Sequence, residues 1–451
     1  MKKFLIFLAC VLVFSIAVGI CALALEVTEV YTANDTLLIL RAIIAGESTP
    51  AMDVNLDGSV NLLDAFLVLK LAVGGEYDLK LSVEVSSTVG TSGYNWWNLG
   101  VQYPRIIVIK NSGSGANGTL LATFEELNSG LVSGKPGYPI YKSTDNGATW
   151  ERVTVVRDNS TKIQSEWNPH LLELEKPLGK YKAGTILLAG CSVDAAHSSK
   201  SAIRLYASVD GGKTFSTPIT VAEGGGLDNG VWEPFLMQLD DGRLVCFYSD
   251  DSDSAHSQKI VYKVSSDGVN FGEAVDVVAS KVSTERPGMA VVTRLGNGKY
   301  FMVYEVVDHK SVSGNPIMYR TSDDGLNYGD ASNLGTLLVS GSKKALGSAP
   351  YCVWTPVGGR NGTLIVSGTF MRSGSSTTGT DYFISRDGGS TWETVPHIIP
   401  YNAAIDHCGY SNCMAVSEDG KTLYALNNPI DANVANHAKI AFARAVWQIK
   451  K

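Results

Sequence analysis

The sequence predicts an all-β fold in which six repeated units close into a six-bladed β-propeller, preceded by a small α-helical module. Six glycine-containing turns, each between two apolar runs, recur at nearly regular intervals, at Gly118, Gly184, Gly242, Gly298, Gly362 and Gly420. An aspartate follows each of the first five turn glycines at a nearly constant distance. Ahead of these repeats, a loop rich in Asp and Asn precedes an apolar stretch of helical length. Such regular recurrence is typical of repeat architectures, whose units bury their strands against their neighbours.

The first element is an N-terminal apolar segment. A stretch with two lysines leads into a long apolar run that ends in Ala-Leu-Ala at Ala24. We interpret residues 1–24 as a secretory signal peptide, which predicts a secreted, extracellular protein. The alternative is that the same segment anchors the protein in a membrane. No later segment is long and apolar enough to span a bilayer, so no membrane partner is expected after cleavage.

The second element is a candidate calcium loop at residues 53–64, DVNLDGSVNLLD. Its oxygen-bearing side chains have the spacing that Ca²⁺ loops use, and Gly58 at the sixth position allows the sharp turn. The candidate ligands are Asp53, Asn55, Asp57, Ser59, Asn61 and Asp64. We therefore predict a structural Ca²⁺ ion, followed by a helix in AFLVLKLAVGG.

This loop and helix, closed by Asp64 where an EF-hand has Glu, resemble a dockerin, and we assign residues 25–76 to such a module. The partner half is visible earlier in the chain, where Asp35 and LLILRAIIAGE match Asp64 and LVLKLAVGGE, but its calcium loop is missing. The resemblance implies binding to a cohesin on a scaffoldin and assembly into a cellulosome-type complex. The other interpretation is a calcium-stabilised helical pair that packs on its own propeller. Residues 77–98, with the run SSTVGTSG, are predicted to be a short linker.

The repeats then fill residues 99–451, which we predict to be one propeller domain, monomeric. The aspartates that follow the turns lie in similar stretches of the pattern S/T-x-D-x-G-x-x-aromatic, of which the one from Ser265 is one residue short. They are Asp145, Asp210, Asp267, Asp323 and Asp387. In such a turn the Asp accepts backbone N–H groups, the Gly takes a positive φ and the aromatic ring fills the blade. The pattern resembles the Asp-box, or BNR repeat, of sialidase-like propellers, and it holds blades together rather than catalysing.

The charge and the cysteine content limit the kinds of partner and of cross-link that we expect. The net charge is −7, with acidic and basic residues interspersed, which argues against nucleic acid. Five cysteines remain after signal removal, an odd and sparse set that does not make a disulfide scaffold. Cys408 and Cys413 could pair, although buried small hydrophobic residues are the commoner use of such cysteines.

The innermost strands of a propeller surround its axis, so the six points where these strands begin should meet at one mouth. The residue about seven past each turn glycine should return to the same rim. This places the following residues together: Arg105, Asn168, His170, Glu233, Arg286, Glu305, Tyr351 and Tyr410, with Asp250 and Asp251 nearby. Glu233 and Glu305, on adjoining blades, form a natural pair for cleaving a glycosidic bond, which needs one ionised and one protonated carboxyl group.

The mouth shares two segments with sialidases. Tyr103-Pro104-Arg105-Ile106 resembles their first arginine segment, and Gly409-Tyr410-Ser411 resembles their tyrosine segment. The two further arginines that clamp a substrate carboxylate are missing, since Ser249 and Glu305 stand at the matching positions. A glutamate in an anion clamp would repel sialic acid.

Two segments instead resemble the exo-1,5-α-L-arabinanases of glycoside hydrolase family 93: VWEPFLMQLDDGRLVCFYSDD and ERPGMAVVTRLGNGKYFMVYE. The resemblance implies a retaining enzyme that trims short units from one end of linear arabinan, a plant cell-wall polysaccharide, without a catalytic cofactor. Glu233 is then the nucleophile and Glu305 the general acid/base. Tyr410 orients the nucleophile, although nearby Tyr401 could serve instead.

The expected sugar-contacting residues are Arg105, Asn168, His170, Trp232, Arg286, Tyr351 and Asp251, while Trp167 either packs the blade or stacks on sugar. Two other functions stay open. One is an exo-sialidase or another exo-glycosidase on the same fold, and the other is a carbohydrate-binding propeller without catalysis.

Overall fold

The computed structural model describes residues 33–47, 49, 52–54, 59–72, 79–93, 101–112, 116–126, 137–159, 163–194, 200–358, 361–374, 376–405, 408–429 and 437–449. These residues form two helices, six four-stranded antiparallel sheets and one three-stranded sheet. Among them, no helix is both long and apolar enough to cross a membrane.

The two helices, α1 (Ala33–Ala45) and α2 (Leu62–Ala72), pack on each other around a small core of their own. Asn61 begins α2: its side-chain oxygen accepts the N–H of Leu63, and the Asp64 carboxylate accepts the N–H of Asn61, both at 2.8 Å. This reciprocal arrangement is a capping box, which satisfies N–H groups that the first helical turn leaves free.

Each four-stranded sheet is one blade, and its strands follow one another from the axis outward. The first blade contains β2 (Val101–Val108), β3 (Leu120–Glu126), β4 (Tyr138–Ser143) and β5 (Glu151–Val156). The second contains β6 (Ile163–Glu173), β7 (Ile186–Asp194), β8 (Ser201–Ser208) and β9 (Ile219–Gly224). The third contains β10 (Val231–Gln238), β11 (Leu244–Asp250), β12 (Lys259–Ser265) and β13 (Val275–Val278).

The fourth blade contains β14 (Arg286–Arg294), β15 (Tyr300–Val307), β16 (Ile317–Ser322) and β17 (Thr336–Leu337). A three-stranded sheet of β18 (Ala345–Gly347), β21 (Phe370–Ser373) and β22 (Ser376–Gly379) is inserted around the fifth blade. That blade contains β19 (Tyr351–Thr355), β20 (Thr363–Ser367), β23 (Tyr382–Ser385) and β24 (Glu393–Val395). The sixth contains β25 (Cys413–Val416), β26 (Thr422–Asn427), β27 (His437–Ile449) and β1 (Leu79–Gly93).

The inner strands form a closed ring. In chain order, β2, β6, β10, β14, β19 and β25 each contact the next, and β25 contacts β2. The predicted six-bladed propeller is therefore confirmed, with a mouth where the six inner strands begin.

The ring is closed by a strand that lies within the predicted linker. Within the segment 77–98, β1 pairs antiparallel with β27 along its whole length, from Leu79 opposite Ile449 to Gly93 opposite His437. The linker prediction was wrong because the Ser/Thr-rich composition hid an alternating pattern, in which Val89 is buried. The start and the end of the propeller therefore share one blade.

The Asp-box turns have the hydrogen bonds that their sequence pattern predicts. In the first, Asp145 accepts from the N–H and hydroxyl of Thr149 and from the hydroxyl of Ser143, whose oxygen accepts the N–H of Gly147. The hydrogen bonds from Thr149, followed by that from Ser143, lower the pKa of Asp145 to about 2. Similar turns are centred on Asp210, Asp267 and Asp387.

In the fourth blade the box aspartate is Asp324, and the prediction of Asp323 was wrong by one residue. Asp324 accepts hydrogen bonds from the Ser322 hydroxyl at 2.9 Å and from the N–H of Asn327 at 2.7 Å. The Asp323 side chain is instead exposed and pairs with Lys299 at 3.0 Å. The serine that ends β16 selects the aspartate two residues later, as Ser265 does in the third blade.

The five cysteines that follow the signal segment are all buried and form no disulfide among the described residues, so Cys408 and Cys413 are not bonded to each other. This fits the interpretation of these residues as small core side chains.

Gly147 should tolerate no side chain, because its φ is +86° and an added Cβ would lie 2.0 Å from the Phe442 ring of the sixth blade. We expect Gly147→Ala to lower the free energy of unfolding by about 2–4 kcal/mol, from left-handed strain and overpacking together. Gly211→Ala is the matched control, since its φ is +76° and nothing lies within 4 Å. It should cost about 1 kcal/mol. Denaturant unfolding of both variants measures the difference, and equal losses would show that the contact between the first and sixth blades contributes nothing.

Candidate active site

A ring of strained residues surrounds the mouth. Each blade has a non-glycine residue with φ between 45° and 58° within its inner strand or just before it. The six that we single out are Tyr103, Asn168, Glu233, Met289, Ala349 and Ser411. In the first four blades the strand pairing shifts register at this residue, as in a β-bulge. A β-bulge changes the direction of a side chain. Left-handed backbone costs about 1–2 kcal/mol per non-glycine residue, and such strain is found most often at functional sites.

Glu233 is held from three sides. Its Oε2 accepts the Ser249 hydroxyl at 2.7 Å and the N–H of Met289 at 3.1 Å, and its Oε1 lies 3.4 Å from the Tyr103 hydroxyl. Burial raises the pKa of Glu233, while the hydrogen bonds from Ser249, Met289 and Tyr103 act in the opposite direction. Because donors favour the ionised form, Glu233 is equipped to be a carboxylate.

Glu305 is a carboxyl group in different surroundings. It is buried on β15, and its Oε2 accepts the N–H of Ala349 at 2.9 Å. Burial, followed by the charge of Glu233, raises the pKa of Glu305 to about 7. The two carboxyl groups are therefore suited to opposite protonation states, which is the condition for dividing nucleophilic and acid/base roles between them.

Two tyrosines, Tyr103 and Tyr410, lie beside Glu233. The hydroxyls of Tyr103 and Tyr410 lie 3.4 Å apart, and their rings meet edge to face with centroids 5.4 Å apart. Met289 and Ala349 pack against them. Tyr401 instead donates its hydroxyl to the carbonyls of Gly368 and Thr369. Of the two tyrosines that the sequence left open, the structure brings Tyr410 to the carboxyl pair.

Arg105 lies at the mouth but is occupied by protein groups. Its guanidinium donates to the carbonyls of Pro104 and Ser411 and to the Ser411 hydroxyl, at 2.7 to 3.1 Å. It also lies over the ring of Tyr351, 5.4 Å from its centroid. Arg105 and Glu233 line one small cavity near the axis. Arg105 thus links the first and sixth blades while remaining next to the site.

A polar and aromatic wall extends over the third and fourth blades. The Asp251 carboxylate accepts the indole N–H of Trp232 at 3.2 Å and a guanidinium N–H of Arg286 at 3.0 Å. Arg286 also donates to Gln258. Trp167, on the second blade, lies 6.2 Å from Trp232 between ring centroids, and both are half-buried. The predicted residues Asn168, Trp232, Asp251 and Arg286 are thus brought to one side of the mouth.

His170 has an enclosed position. It is buried, with its ring 4.3 Å from that of Phe235, and its Nδ1 accepts the N–H of Leu236 at 3.2 Å. Burial lowers the pKa of His170 well below its usual value, so it is neutral. The structure therefore places it between the second and third blades rather than with the carboxyl pair.

Three residues that surround the site, Glu125, Ser249 and Tyr103, were not predicted as site residues. Glu125 and Ser249 are the seventh residues after their turn glycines, as Glu305 is, so the same spacing could have identified them. Tyr103 carried a different signal, because it is the first residue of the Tyr-Pro-Arg segment at the start of an inner strand.

Six blades, with Asp-box turns between the third and fourth strands of the first five, surround two unequal carboxyl groups, and together they define a glycoside hydrolase on a sialidase-like β-propeller. The BNR repeat-like domain family matches residues 118–331. Among solved structures, the Penicillium chrysogenum α-L-arabinanase complexed with arabinobiose is 33% identical, with a TM-score of 0.68, over 80% of this chain and 98% of that one. This chain belongs to the same family, glycoside hydrolase family 93.

Two further structures support this placement. The family 93 α-L-arabinofuranosidase of Fusarium graminearum, with arabinobiose, is 29% identical, with a TM-score of 0.66, over 81% of this chain and 98% of that one. A sialidase from Streptococcus pneumoniae shares the fold alone, at 10% identity and a TM-score of 0.53, over 81% of this chain and 70% of that one. No curated protein matches this sequence.

Proposed function

We propose that this protein is a secreted, exo-acting, retaining glycoside hydrolase that trims short units from one end of linear 1,5-α-L-arabinan. The observation that carries the proposal is the carboxyl pair Glu233 and Glu305, which lie on the rims of neighbouring blades. Glu233 has three hydrogen-bond donors around it, and Glu305 accepts one backbone N–H. The arabinobiose bound to the two family members supports an arabinose oligomer as substrate.

The chemistry follows from the two carboxyl groups. Glu305 donates its proton to the leaving glycosidic oxygen while a Glu233 oxygen bonds to the anomeric carbon, so the C–O bond breaks as the glycosyl ester forms. Glu305, now ionised, takes a proton from water, which attacks the same carbon and releases Glu233. Tyr103, Ser249 and the N–H of Met289 orient the nucleophile.

The charges at the mouth favour a neutral sugar over sialic acid. Glu233, Glu305 and Asp251 all lie there, while the two arginines, Arg105 and Arg286, already donate to protein oxygens. An anionic sugar would meet carboxylates without a free arginine clamp. The half-buried rings of Trp167 and Trp232 offer faces for stacking instead.

Product analysis tests the function. The mature protein and Glu233→Gln are incubated separately with linear debranched arabinan and with sialyllactose, and products are followed by chromatography with mass detection. We expect short arabinose oligomers of uniform length from arabinan with the wild type alone, and NMR of early products should show retained α configuration. A ladder of lengths would contradict exo-action, inverted product would contradict retention, and free sialic acid would assign the enzyme to the sialidases.

The dependence of activity on pH follows from the same pair. Glu305 must be protonated, so kcat/KM should fall as pH rises through about 7, the pKa of Glu305. Glu233 must be ionised, so activity should also fall as pH drops through its pKa, which lies above the ordinary 4.5. A pH profile of kcat/KM should therefore be bell-shaped, and Glu305→Gln should lose the alkaline limb. Activity that stays level well above neutral pH would contradict the assignment of Glu305 as the acid.

We also propose that the helical module is dockerin-like, with Ca²⁺ in residues 53–64 and a cohesin as partner. Asp53 and Asp64 are buried at the two ends of this loop, whereas Asn55 and Asp57 lie outside the described residues. On α2, Leu62, Leu63 and Phe66 are 50–63% exposed, which leaves an apolar face for a partner. Calcium-dependent capture by a panel of cohesins tests this, with EDTA and Leu63→Asp as controls.

One contact favours the other interpretation of this module. The Asp53 carboxylate accepts a hydrogen bond from Lys421 Nζ, so the calcium loop meets the sixth blade. If the helices simply stabilise their own propeller, Lys421→Ala will lower the melting temperature and no cohesin will bind. Secretion rests on residues 1–24, which lie outside the described residues.

A further inference from the structure

Glu125 is a further buried carboxyl group near the mouth. It lies at the end of the second strand of the first blade, one residue before Glu126, and is only 3% exposed. Its Oε2 accepts the N–H of Asn168 at 2.9 Å. Its Oε1 has no hydrogen-bond partner among the described residues. This oxygen is not among the fully enclosed side-chain oxygens without a partner in the described residues, so water or a ligand in the mouth can reach it.

The position of Glu125 repeats that of Glu305. Each is the seventh residue after its turn glycine, and each accepts, at 2.9 Å, the N–H of the left-handed residue of the following blade. Glu125 belongs to the first blade and Glu305 to the fourth, so they face each other across the ring of six. Glu233, on the third blade, lies beside Glu305 in that ring.

This arrangement separates the two halves of a substrate. Glu305 protonates the leaving oxygen, so the leaving part of the chain lies toward the fourth blade. The sugar attacked by Glu233 must then extend the other way, toward the first and second blades, where Glu125 and Asn168 lie. Electrostatic contact supports this proximity, because the charge of Glu125 acts on both Tyr103 and Tyr410.

We propose that Glu125 is a sugar-binding residue of the active site, whose Oε1 makes a hydrogen bond to a ring hydroxyl of the sugar that Glu233 attacks. This inference rests on the proposed hydrolase function and adds to it a residue that recognises the glycone, the non-reducing side of the scissile bond. Glu125 and Glu305 each accept a backbone N–H from the following blade, but in this role Glu125 transfers no proton.

The protonation state of Glu125 suits the role. Burial raises the pKa of Glu125 to about 7, and the nearby Glu233 adds to this, while the Asn168 N–H and Arg105 oppose it. Near neutral pH a large share of Glu125 is ionised, and Oε1 then accepts a hydrogen bond from a sugar hydroxyl, which the amide nitrogen of a glutamine at this position cannot do.

The test compares Glu125→Gln with Glu126→Gln. In the first variant the new side-chain carbonyl can still accept the Asn168 N–H. Glu126 is the matched control because it is adjacent and its carboxylate pairs with Arg152 on the outer strand β5, at 3.4 Å. We expect Glu125→Gln to lower kcat/KM by about 10- to 150-fold, the value of a hydrogen bond to a charged or strongly polar group. The loss should be equal on arabinan oligomers and on an aryl arabinofuranoside, because both present the same sugar to Glu125.

Deoxy substrates distinguish binding from a structural role. Aryl arabinofuranosides that lack the 2-, 3- or 5-hydroxyl are assayed with the wild type and with Glu125→Gln. For one of them the penalty seen with the wild type should nearly vanish in the variant, since the partner is already gone. Unchanged penalties for all three, or activity of Glu125→Gln equal to that of Glu126→Gln, would overturn the inference.

The inference can still be tested if Glu125→Gln does not fold or if the wild type is inactive on arabinosides. If Glu125→Gln fails to fold, Glu125→Asp is used in the same deoxy series, because it keeps a carboxyl group and withdraws it by one methylene. If the wild type cleaves no arabinoside, the proposed function fails. Calorimetric binding of arabinobiose to the wild type and to Glu125→Gln then decides the inference, which predicts weaker binding to the variant and is overturned by equal affinity.

Discussion

Glu233→Gln should lower kcat on linear arabinan by on the order of 10⁴-fold, because the substitution removes the proposed nucleophile, the group that would form the glycosyl ester. The fold should survive, since glutamine has the same shape and can accept hydrogen bonds from Ser249 and Met289, the two donors to Oε2. KM should change little, because the polar and aromatic wall of Trp232, Asp251 and Arg286 remains. Steady-state kinetics on arabinan oligomers measures both constants.

The control for this substitution is Glu223→Gln, which alters an exposed glutamate on the outer strand of the second blade and should leave kcat unchanged. A second readout identifies the role. With Glu233→Ala and an activated aryl arabinofuranoside, added azide should restore turnover and form the glycosyl azide of inverted configuration. If Glu233→Gln keeps a tenth or more of the wild-type kcat, another residue is the nucleophile.

Glu305→Gln should show a loss that depends on the leaving group. On arabinan, whose sugar leaving group needs a proton, kcat/KM should fall by about 10³-fold. On an aryl arabinofuranoside with an acidic phenol, formation of the glycosyl-enzyme should be nearly as fast as in the wild type, because that phenol leaves without a proton. The second step should become slow, so rapid-mixing measurements should show a burst of phenol.

Azide distinguishes Glu305 from Glu233. A small anion can replace the missing base in the second step, so Glu305→Ala with azide should yield the glycosyl azide of retained configuration. Equal losses on both substrates would mean that Glu305 supports the site without transferring a proton. That outcome would leave Glu125, with its pKa of about 7, as the remaining buried acid close to Glu233.

The repeat could be predicted from sequence because its signals are local. Each Asp-box confines its hydrogen bonds to one short turn, as in Asp145 with Ser143 and Thr149. Spacing from the turn glycine also located Glu305, since a two-strand hairpin returns to the rim after a constant number of residues. Only where two aspartates adjoin, at Asp323 and Asp324, did the local pattern leave the choice open.

The site depended on contacts that no local pattern contains. Tyr103, Glu233 and Met289 meet within one cluster although they come from three blades and are 56 to 186 residues apart. The spacing rule would have located Glu125, but its meaning depends on Asn168 of the next blade. The sequence also could not choose between Tyr410 and Tyr401. In the structure the hydroxyl of Tyr410 lies against that of Tyr103, whereas the hydroxyl of Tyr401 donates to a carbonyl beside the fifth blade.

The sequence by itself determined the six-bladed plan, the Asp-box turns and the carboxyl pair, because each depends on short-range hydrogen bonding or on a fixed strand length. Only the tertiary structure decided that β1 closes the ring, since its partner β27 comes from the opposite end of the propeller sequence. It also decided the protonation preferences, because burial and the charge of a neighbouring blade raise the pKa of Glu305. Strand pairing and the burial of a carboxyl group both depend on contacts between segments far apart in the sequence, and these contacts form only in the closed ring.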